Sequence, residues 1–306
     1  MKSQLSSPYS SISKKIDLFK AAIHRGCIVS PSDVSKFVFL CGANKEDGTV
    51  SERRRAIINF AKKKLPHAHI FLAEKIFPLL QNEGHKANLL DIERNISKFA
   101  DKILIVLESN SSFAELGAFC HDELRNKVIV INDIAYAKAK SFINLGPIKA
   151  IEESGGKENI ILYKMSADGI NKLDAIGSTF YGLHKILKEQ LPEKPAILHS
   201  DDVNPSKVFN KVSLRFIHDL IYVTGPITRV EVIEILKSLF GKNDYKKITE
   251  HIALLSAFDA VYDIGGNVYK SRLTKMYFEY KFDINAVIAS FRNYTLKFKS
   301  ERIYGA

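Results

Sequence analysis

The stretch Asp101–Cys120, DKILIVLESNSSFAELGAFC, decides the fold. Ile103, Leu104, Ile105, Val106 and Leu107 form an unbroken apolar run rich in β-branched side chains. A half-solvated strand would alternate with polar residues, so this run reads as a parallel strand covered on both faces. It stops at Glu108, a polar turn fills Ser109–Ser112, and a helix opens with Phe113, Ala114, Glu115 and Leu116. Two carboxylates thus fall between the carboxyl end of a strand and the amino end of a helix, the edge where open α/β sheets bind ligands. Ser112 and Glu115 allow two readings. They fit the S-x-x-E capping box, in which the serine accepts from a backbone N–H and the glutamate reaches back to the cap. Alternatively, Glu115 faces a ligand. A carboxylate in the first helical turn feels the positive helix end, which predicts a lowered pKa and the ionised form that a nucleophile needs. Glu108 would then orient a sugar hydroxyl or handle the proton, the division of labour by which two carboxyls achieve retaining glycosyl transfer.

Strands and helices alternate on both sides of this stretch. Phe37–Leu40 reads as a buried strand ending at Cys41, Gly42 and Ala43, where glycine admits close approach of a ligand, although a plain turn is the simpler account. DGTVSE, Asp47–Glu52, introduces a helix with Thr49 and Glu52 at capping-box spacing and Arg53, Arg54 and Arg55 behind them. That triplet can meet a phosphate. Adjacent helical residues cannot all point one way, however, which favours a solvated face. Ile70–Ala73 is the next strand and ends at Glu74, a secondary site candidate with an ion pair to Lys75 or another base as its alternative. Gln81–Lys86 is a polar loop. Leu89–Ala100 is a helix whose stripe of Ile92, Ile96 and Phe99 leaves Glu93 free to reach the ligand edge. Strands at Lys127–Ile131 and Asn159–Tyr163 and a long helix at Asp168–Gln190 close the unit, with Phe142–Pro147 as an irregular cover for the pocket. Parallel neighbours need crossovers, which helices supply, so the pattern predicts a doubly wound parallel α/β sheet of about five strands.

With 306 residues, 46% of them hydrophobic, the chain has room for two cores. Its 45 Lys and Arg against 34 Asp and Glu leave a charge of +11, which suggests a polyanionic partner. Cys27, Cys41 and Cys120 form no C-x-x-C pair, so no metal site and no disulfide framework is expected. MKSQLSSPYSSISKK at the start lacks the apolar core of a signal peptide, and no later run could span a bilayer; a cytoplasmic protein with no membrane partner is expected.

The domain reading is an N-terminal extension over 1–34 with an amphipathic helix at Ser13–His24, the α/β domain over 35–191, a linker over 192–206 marked by Pro192, Pro195 and Pro205, and a basic domain over 207–306. From Lys207 onward sixteen Lys and Arg face ten Asp and Glu. Helices are predicted at Leu214–Val223, stopped by Gly225 and Pro226, at Arg229–Phe240, capped by Thr228, and at Lys246–Phe258. A hairpin follows over Ala260–Lys270, turning at Gly265 and Gly266. Three helices and a hairpin give the order of a winged helix-turn-helix, whose third helix enters the major groove and whose wing touches phosphate. Lys246, Lys247, Thr249, His251, Lys270 and Arg272 are placed near nucleic acid on that reading. A protein-interaction module is the alternative, because positive charge alone is unspecific. Tyr277, Phe278, Tyr280, Phe291, Tyr294 and Phe298 more simply bury a C-terminal helix than stack on bases.

The strand, small polar loop and A-E-L-G around Glu115 resemble the signature of the nucleoside 2-deoxyribosyltransferase-like superfamily. The longer string LLDIERNISKFADKILIVLESNSSFAELGAF, Leu89–Phe119, resembles the effector proteins of bacterial retrons, antiphage modules that pair such a protein with a reverse transcriptase and its RNA–DNA hybrid. The resemblance implies Glu115 as nucleophile and Glu93 as the upstream acid, with Asp91 as a competing match. It also implies a nucleotide pocket lined by Cys41, Gly42 and Ala43. Where the family carries a sugar-contacting aspartate, this chain has Ser109 and Asn110, followed by Ser112, and offers Glu108 instead; N-glycosidic cleavage is therefore expected in place of deoxyribose transfer. No cofactor is implied, NAD is the leading substrate, and the effector would be a toxin held inactive by its reverse transcriptase and hybrid until infection, with oligomerisation left open. A nucleotide-sensing DNA-binding regulator without turnover, and a structural subunit of a nucleoprotein complex, are the competing readings.

Overall fold

The computed structural model describes residues 11–31, 36–82, 88–188 and 194–304. The first ten residues of the serine-rich start, most of the Gln81–Lys86 loop, Pro192 and the expected domain limits at 34 and 191 lie outside the described residues. In chain order the elements are α1 (Ser11–His24), β1 (Ile28–Ser30), β2 (Lys36–Cys41), α2 (Glu52–Lys64), β3 (Ala68–Phe71), α3 (Ala73–Asn82), α4 (Leu89–Phe99), β4 (Lys102–Val106), α5 (Asn110–Phe119), β5 (Val128–Asp133), α6 (Lys149–Gly155), β6 (Ile160–Tyr163) and α7 (Phe180–Leu187). Then come β7 (Ala196–Leu198), α8 (Ser200–Val203), α9 (Lys211–Thr224), β8 (Ile227–Thr228), α10 (Arg229–Phe240), α11 (Ile248–Ala257), β9 (Val261–Asp263), β10 (Val268–Ser271), β11 (Glu279–Tyr280), α12 (Ile284–Phe298) and α13 (Glu301–Tyr304). They form two compact units, one from residues 34–77 and 86–191, the other from the remainder.

The first unit is an α/β layer structure around a five-stranded sheet in the order β3-β2-β4-β5-β6, every pair parallel. The apolar runs explain it, since Ile103–Val106 and Val128–Ile131 are fully buried, as strands sandwiched by helices must be. Val38, Leu40, Leu104, Val106, Ile129 and Ile131 meet Ile57, Ala61, Leu65, Leu183 and Leu187 from α2 and α7 on one face. On the other, Phe39 stacks on Phe71 with ring centres 5.2 Å apart and meets the edge of Phe119 at 5.9 Å. Each such side chain removed from water contributes about 1.5–3 kcal/mol, so a polar residue in either run would shift the register or unfold the sheet.

The closing helix is shorter than expected. Asp168–Asp174 is irregular, a 3-10 turn covers Ala175–Thr179, and only Phe180–Leu187 is α-helical. A Cβ on Gly169 would lie 2.1 Å from the Arg53 guanidinium, and Asp174 accepts from Arg53 Nε at 2.9 Å, so a residue far back in the chain shapes this loop and excludes a helix. Phe142–Pro147 does not line the cavity described below. It forms a π-turn at Asn144–Ile148 tied down by Asn144, which donates to the carbonyls of Tyr136 and Ala139, with Phe142 exposed.

The second unit is mainly helical. α1 packs on α10 and α12, and its Phe19 ring meets Phe216 of α9, Tyr280 of β11 and Phe282 at 6.1, 5.8 and 5.7 Å. β11-β1-β7 and β8-β10-β9 are small antiparallel sheets. Inside α9, His218 Nδ1 lies 2.9 Å from Asp219 Oδ1 and His218 Nε2 lies 3.0 Å from Ser271 Oγ. Asp219 also accepts from the backbone N–H groups of Tyr277 and Phe278 and from the Tyr280 hydroxyl. Both His218 and Asp219 are sealed from solvent, so this serine–histidine–aspartate row braces α9 against β10 and residues 277–280 and is not a hydrolytic centre. Among the described residues no helix is long and apolar enough to cross a membrane.

Candidate active site

In the sheet order, β2 leads outward to β3 while β4 leads the other way to β5 and β6, which puts a topological switch between β2 and β4. Ligands bind at the carboxyl ends of strands at such a switch. A cavity of about 510 Å³ opens there, walled by Cys41–Asn44 after β2, by Ser109 and Ser111 after β4, and by Phe77 and Ile170. Glu74, Glu93, Glu115 and Arg54 also line it.

Glu115 reaches the cavity because it is not needed for the helix cap. The cap is Ser109, whose side chain accepts from Ser112 N–H, while Ser112 Oγ accepts from the N–H groups of Ser109 and Glu108 at 3.1 Å. The capping box therefore pairs Ser109 with Ser112, one turn ahead of the expected Ser112–Glu115 pairing, and Glu115 falls in the second turn. One of its oxygens accepts from Gly42 N–H, and Oε2 is buried with no hydrogen-bond partner.

The expected lowering of its pKa is reversed. Burial, reinforced by the charge of Glu93, pushes Glu115 up to about 8 against the opposing pull of Arg54 and Gly42 N–H. Removal from the first turn weakens the helix-end field, and desolvation wins. Burial and the neighbouring Glu74 likewise raise Glu93 to about 7, again opposed by Arg54. The Cys41 thiol is raised by burial and then by Glu115 and Glu93. At neutral pH Glu115 thus keeps its proton while Glu93 stands near its midpoint, and the two titrate as an interacting pair.

This has a measurable consequence for stability. Both carboxyls ordinarily titrate near 4.5 but do so near 7 and 8 when folded, so between those limits the native state binds more protons than the unfolded chain. Stability is therefore highest below about pH 4.5 with respect to these groups and falls as pH rises through the window. Glu115→Gln mimics the protonated form. It should leave the melting temperature unchanged near pH 5 and raise it by roughly 5 °C near pH 9, taking ~2 kcal/mol for the relieved burial of charge. A gain independent of pH in a thermal-shift titration would contradict the assignment.

Glu108, expected to manage protons, is fully engaged by the protein. Its side chain has no exposure; Oε1 accepts from Ala43 N–H at 3.1 Å and Ser51 Oγ at 2.6 Å, and Oε2 pairs with Arg53 Nη1 at 3.0 Å. Gly42 fits this corner only as glycine, because at φ +149° a Cβ would lie 3.0 Å from both Arg54 Cδ and Glu108 Oε1.

The arginine triplet is the largest departure from expectation. Arg53 and Arg54 are 2% and 1% exposed, and Arg55 alone faces solvent, paired with Glu52 at 3.3 Å. The helix is capped by Ser51, which accepts from Arg54 N–H, and not by Thr49, which bonds to Asp47 instead. Its first turn therefore lies on the ligand edge of the sheet. Arg54 pairs with Glu74 and donates to Asn44 Oδ1 at 2.8 Å and Leu40 O at 3.0 Å. Arg53 joins Glu108 to Asp174 and donates to Ser166 O. A first-turn position after a strand at the sheet's carboxyl edge was the available signal for both.

Of the expected substrate contacts, Cys41, Gly42, Ala43, Glu74, Glu93, Ser109 and Glu115 share the cavity. Ser112 is buried in the cap beneath it, Asn110 is exposed at the head of α5, and Asp91 is exposed and held by Asn88 Nδ2 at 2.7 Å. Among the described residues no cluster of His, Cys, Asp and Glu is arranged to hold a metal ion.

In the second unit Lys246, Lys247, Lys270 and Arg272 are exposed. Lys246 pairs with Asp244 at 3.0 Å, Lys247 lies 5.0 Å from the Phe209 ring centre, and Arg272 lies 5.1 Å from that of Tyr262. Thr249 accepts from Arg229 at 2.8 Å. His251 leaves this set: it is fully buried between Ser213 Oγ and Lys247 O, and burial lowers its pKa to about 4. The third helix begins at Ile248 and turns His251 inward onto α9, away from the nucleic-acid face expected for it.

A parallel α/β unit with an acidic crevice at its switch point and a mainly helical second unit define a two-module protein with a candidate small-molecule site. The chain matches the family described as STM3845 retron effector protein over residues 50–263, and it belongs to that family. It is 42% identical over 311 aligned positions, 99% of this chain and 98% of the relative, to the Escherichia coli retron Ec73 "putative ribosyltransferase/DNA-binding protein". Over 142 positions, 46% of this chain and 43% of the relative, it is 32% identical to the Escherichia coli retron Ec86 protein of the same description. The chain is a retron effector with transferase-like relatives, as the Leu89–Phe119 string implied.

Proposed function

We propose that the α/β unit is a ribosyltransferase-like N-glycosidase, with Glu115 attacking the anomeric carbon of a nucleotide, and that NAD is the substrate. The observation that carries this reading is Glu115, which lines the cavity and whose buried Oε2 is bonded to no protein group. Gly42 N–H holds the other oxygen and leaves this one to form the C1′–O bond as the bond to the base breaks and its electron pair departs with the base. Arg54 is paired with Glu74, so ionisation of Glu93 or Glu115 leaves the cavity with an excess negative charge, a field that favours a cation. The quaternary nitrogen of a nicotinamide ring and the positive charge developing on the sugar would lower the pKa of Glu115 and ionise it on binding. Such a base leaves neutral and needs no general acid, which suits a site whose Glu108 is already engaged. Glu93 then takes a proton from water, and that water displaces Glu115 from C1′. No cofactor enters this sequence.

The second unit is read as a winged helix-turn-helix that holds the retron's RNA–DNA hybrid beside its reverse transcriptase. The order α9, β8, α10, α11, β9, β10, the sheet order β8-β10-β9 and the glycine turn between β9 and β10 support it, with Lys246, Lys247, Lys270 and Arg272 as phosphate contacts. The same partners would restrain the enzyme until infection.

One observation favours a second reading: a protonated Glu115 can bind a nucleotide without attacking it. Incubating the purified chain with NAD and nucleosides, followed by chromatography for free base, separates the two. Nicotinamide release is expected. Saturable binding with intact substrate would replace the enzyme by a sensor.

A further inference from the structure

The α/β unit carries a second cavity, a groove of about 630 Å³ that shares no lining residue with the acidic crevice. Its volume is that of a small-molecule site. Phe60 and Phe180 stack in its wall with ring centres 4.3 Å apart and planes 13° apart, and the exposed Leu173 lies beside them. Together they offer an apolar floor for a flat ring. Lys63 and Lys64, in the last turn of α2, line the same groove. The helix carboxyl end explains why lysines are tolerated there, but not why two of them border an aromatic floor. The one acidic side chain in the lining, Asp174, is already paired with Arg53.

The groove is mechanically continuous with the crevice. In the loop between Ser166 and Asp174, Ile170 lines the crevice, and its carbonyl accepts from Glu52 N–H at 3.1 Å; Leu173 and Asp174 line the groove. Asp174 Oδ2 accepts from Arg53 Nε at 2.9 Å, Arg53 Nη1 reaches Glu108 Oε2 at 3.0 Å, and Glu108 Oε1 accepts from Ala43 N–H at 3.1 Å. The next residue back, Gly42, donates to Glu115.

We propose that this groove binds a nucleoside triphosphate, its base on Phe60, Phe180 and Leu173 and its phosphates on Lys63 and Lys64, and that occupancy alters turnover at Glu115 through Asp174 and Arg53. The coupling rests on the reading of Glu115 as the attacking group; the binding does not. Fluorescently labelled ATP titrated into the full chain tests the binding directly. Saturable binding is expected, weakened at least about tenfold by K63E/K64E and by L173E and unaltered in E115Q. Unlabelled ATP should compete better than adenosine or inorganic triphosphate alone. In wild type, ATP should change the rate of base release about fivefold, and in K63E/K64E, whose rate without ATP equals wild type, it should change nothing. Binding indifferent to both variants, or displacement by an oligonucleotide in preference to ATP, overturns the site. Binding that leaves base release unmoved overturns the coupling, and a chain that cleaves nothing still answers the binding question.

Discussion

Glu115→Gln is expected to lower base release about 10³-fold or more while circular dichroism and nucleotide binding stay at wild-type levels. The amide keeps the shape of the side chain and can still accept from Gly42 N–H, so the cavity wall is retained. What disappears is the oxygen that forms the bond to C1′. Glu93→Gln should cost less, about 10²-fold, because water can still attack unaided once the glycosyl intermediate has formed. The order of the two effects is diagnostic: an equal loss in both would point to a shared proton as the essential feature, and an unchanged rate in Glu115→Gln would end the nucleophile assignment. The pH profile carries a separate sign. If the substrate's positive charge ionises Glu115, the activity limb should lie below the value near 8 of the empty site, whereas a limb at 8 would mean that the ligand contributes no charge.

Arg53→Met is expected to destabilise the α/β unit by ~3–5 kcal/mol, read as a fall in melting temperature of about 10 °C or more. The substitution leaves two carboxylates, Glu108 and Asp174, whose side chains are 0% and 3% exposed, without their common cation. Arg53→Lys restores the charge but not the planar fork that reaches both, and should fall between the two. Arg55→Met on the same helix is the control. Its pair with Glu52 is surface-exposed, and its loss should be within about 0.5 kcal/mol of neutral. Equal effects at residues 53 and 55 would show that the buried network contributes nothing to stability.

What could be read from the sequence, and what could not, divides along a physical line. β2, β4 and β5 were legible because burial on both faces demands unbroken apolar runs, which leave a local mark. Glu115 was legible because the strand end and the following helix place it. The cap was misread because Ser109, Ser111 and Ser112 offer several starts, and only the end of β4 decides among them. Arg53 and Arg54 were given to solvent by a rule that is true of neighbouring residues, that they diverge; it held for Arg55 alone, since the other two are drawn in by carboxylates on distant segments. The long closing helix failed for the same reason: nothing between Asp168 and Phe180 reveals that Asp174 is claimed by α2. His251 shows the reverse error, a polar residue assigned to a surface when its partner, Ser213, lies 38 residues earlier.

The reach of Arg53 also governs when the crevice comes into being during synthesis. Its two carboxylate partners are 55 and 121 residues further along the chain, the second of them beyond the last strand of the sheet. A nascent chain that has not yet delivered Asp174 lacks the carboxylate that ties the end of the loop carrying Ile170 to Arg53. The last wall of the acidic crevice therefore lies beyond the last strand of the sheet, and a chain cut short after that strand would carry Glu115 without Ile170 to close the site.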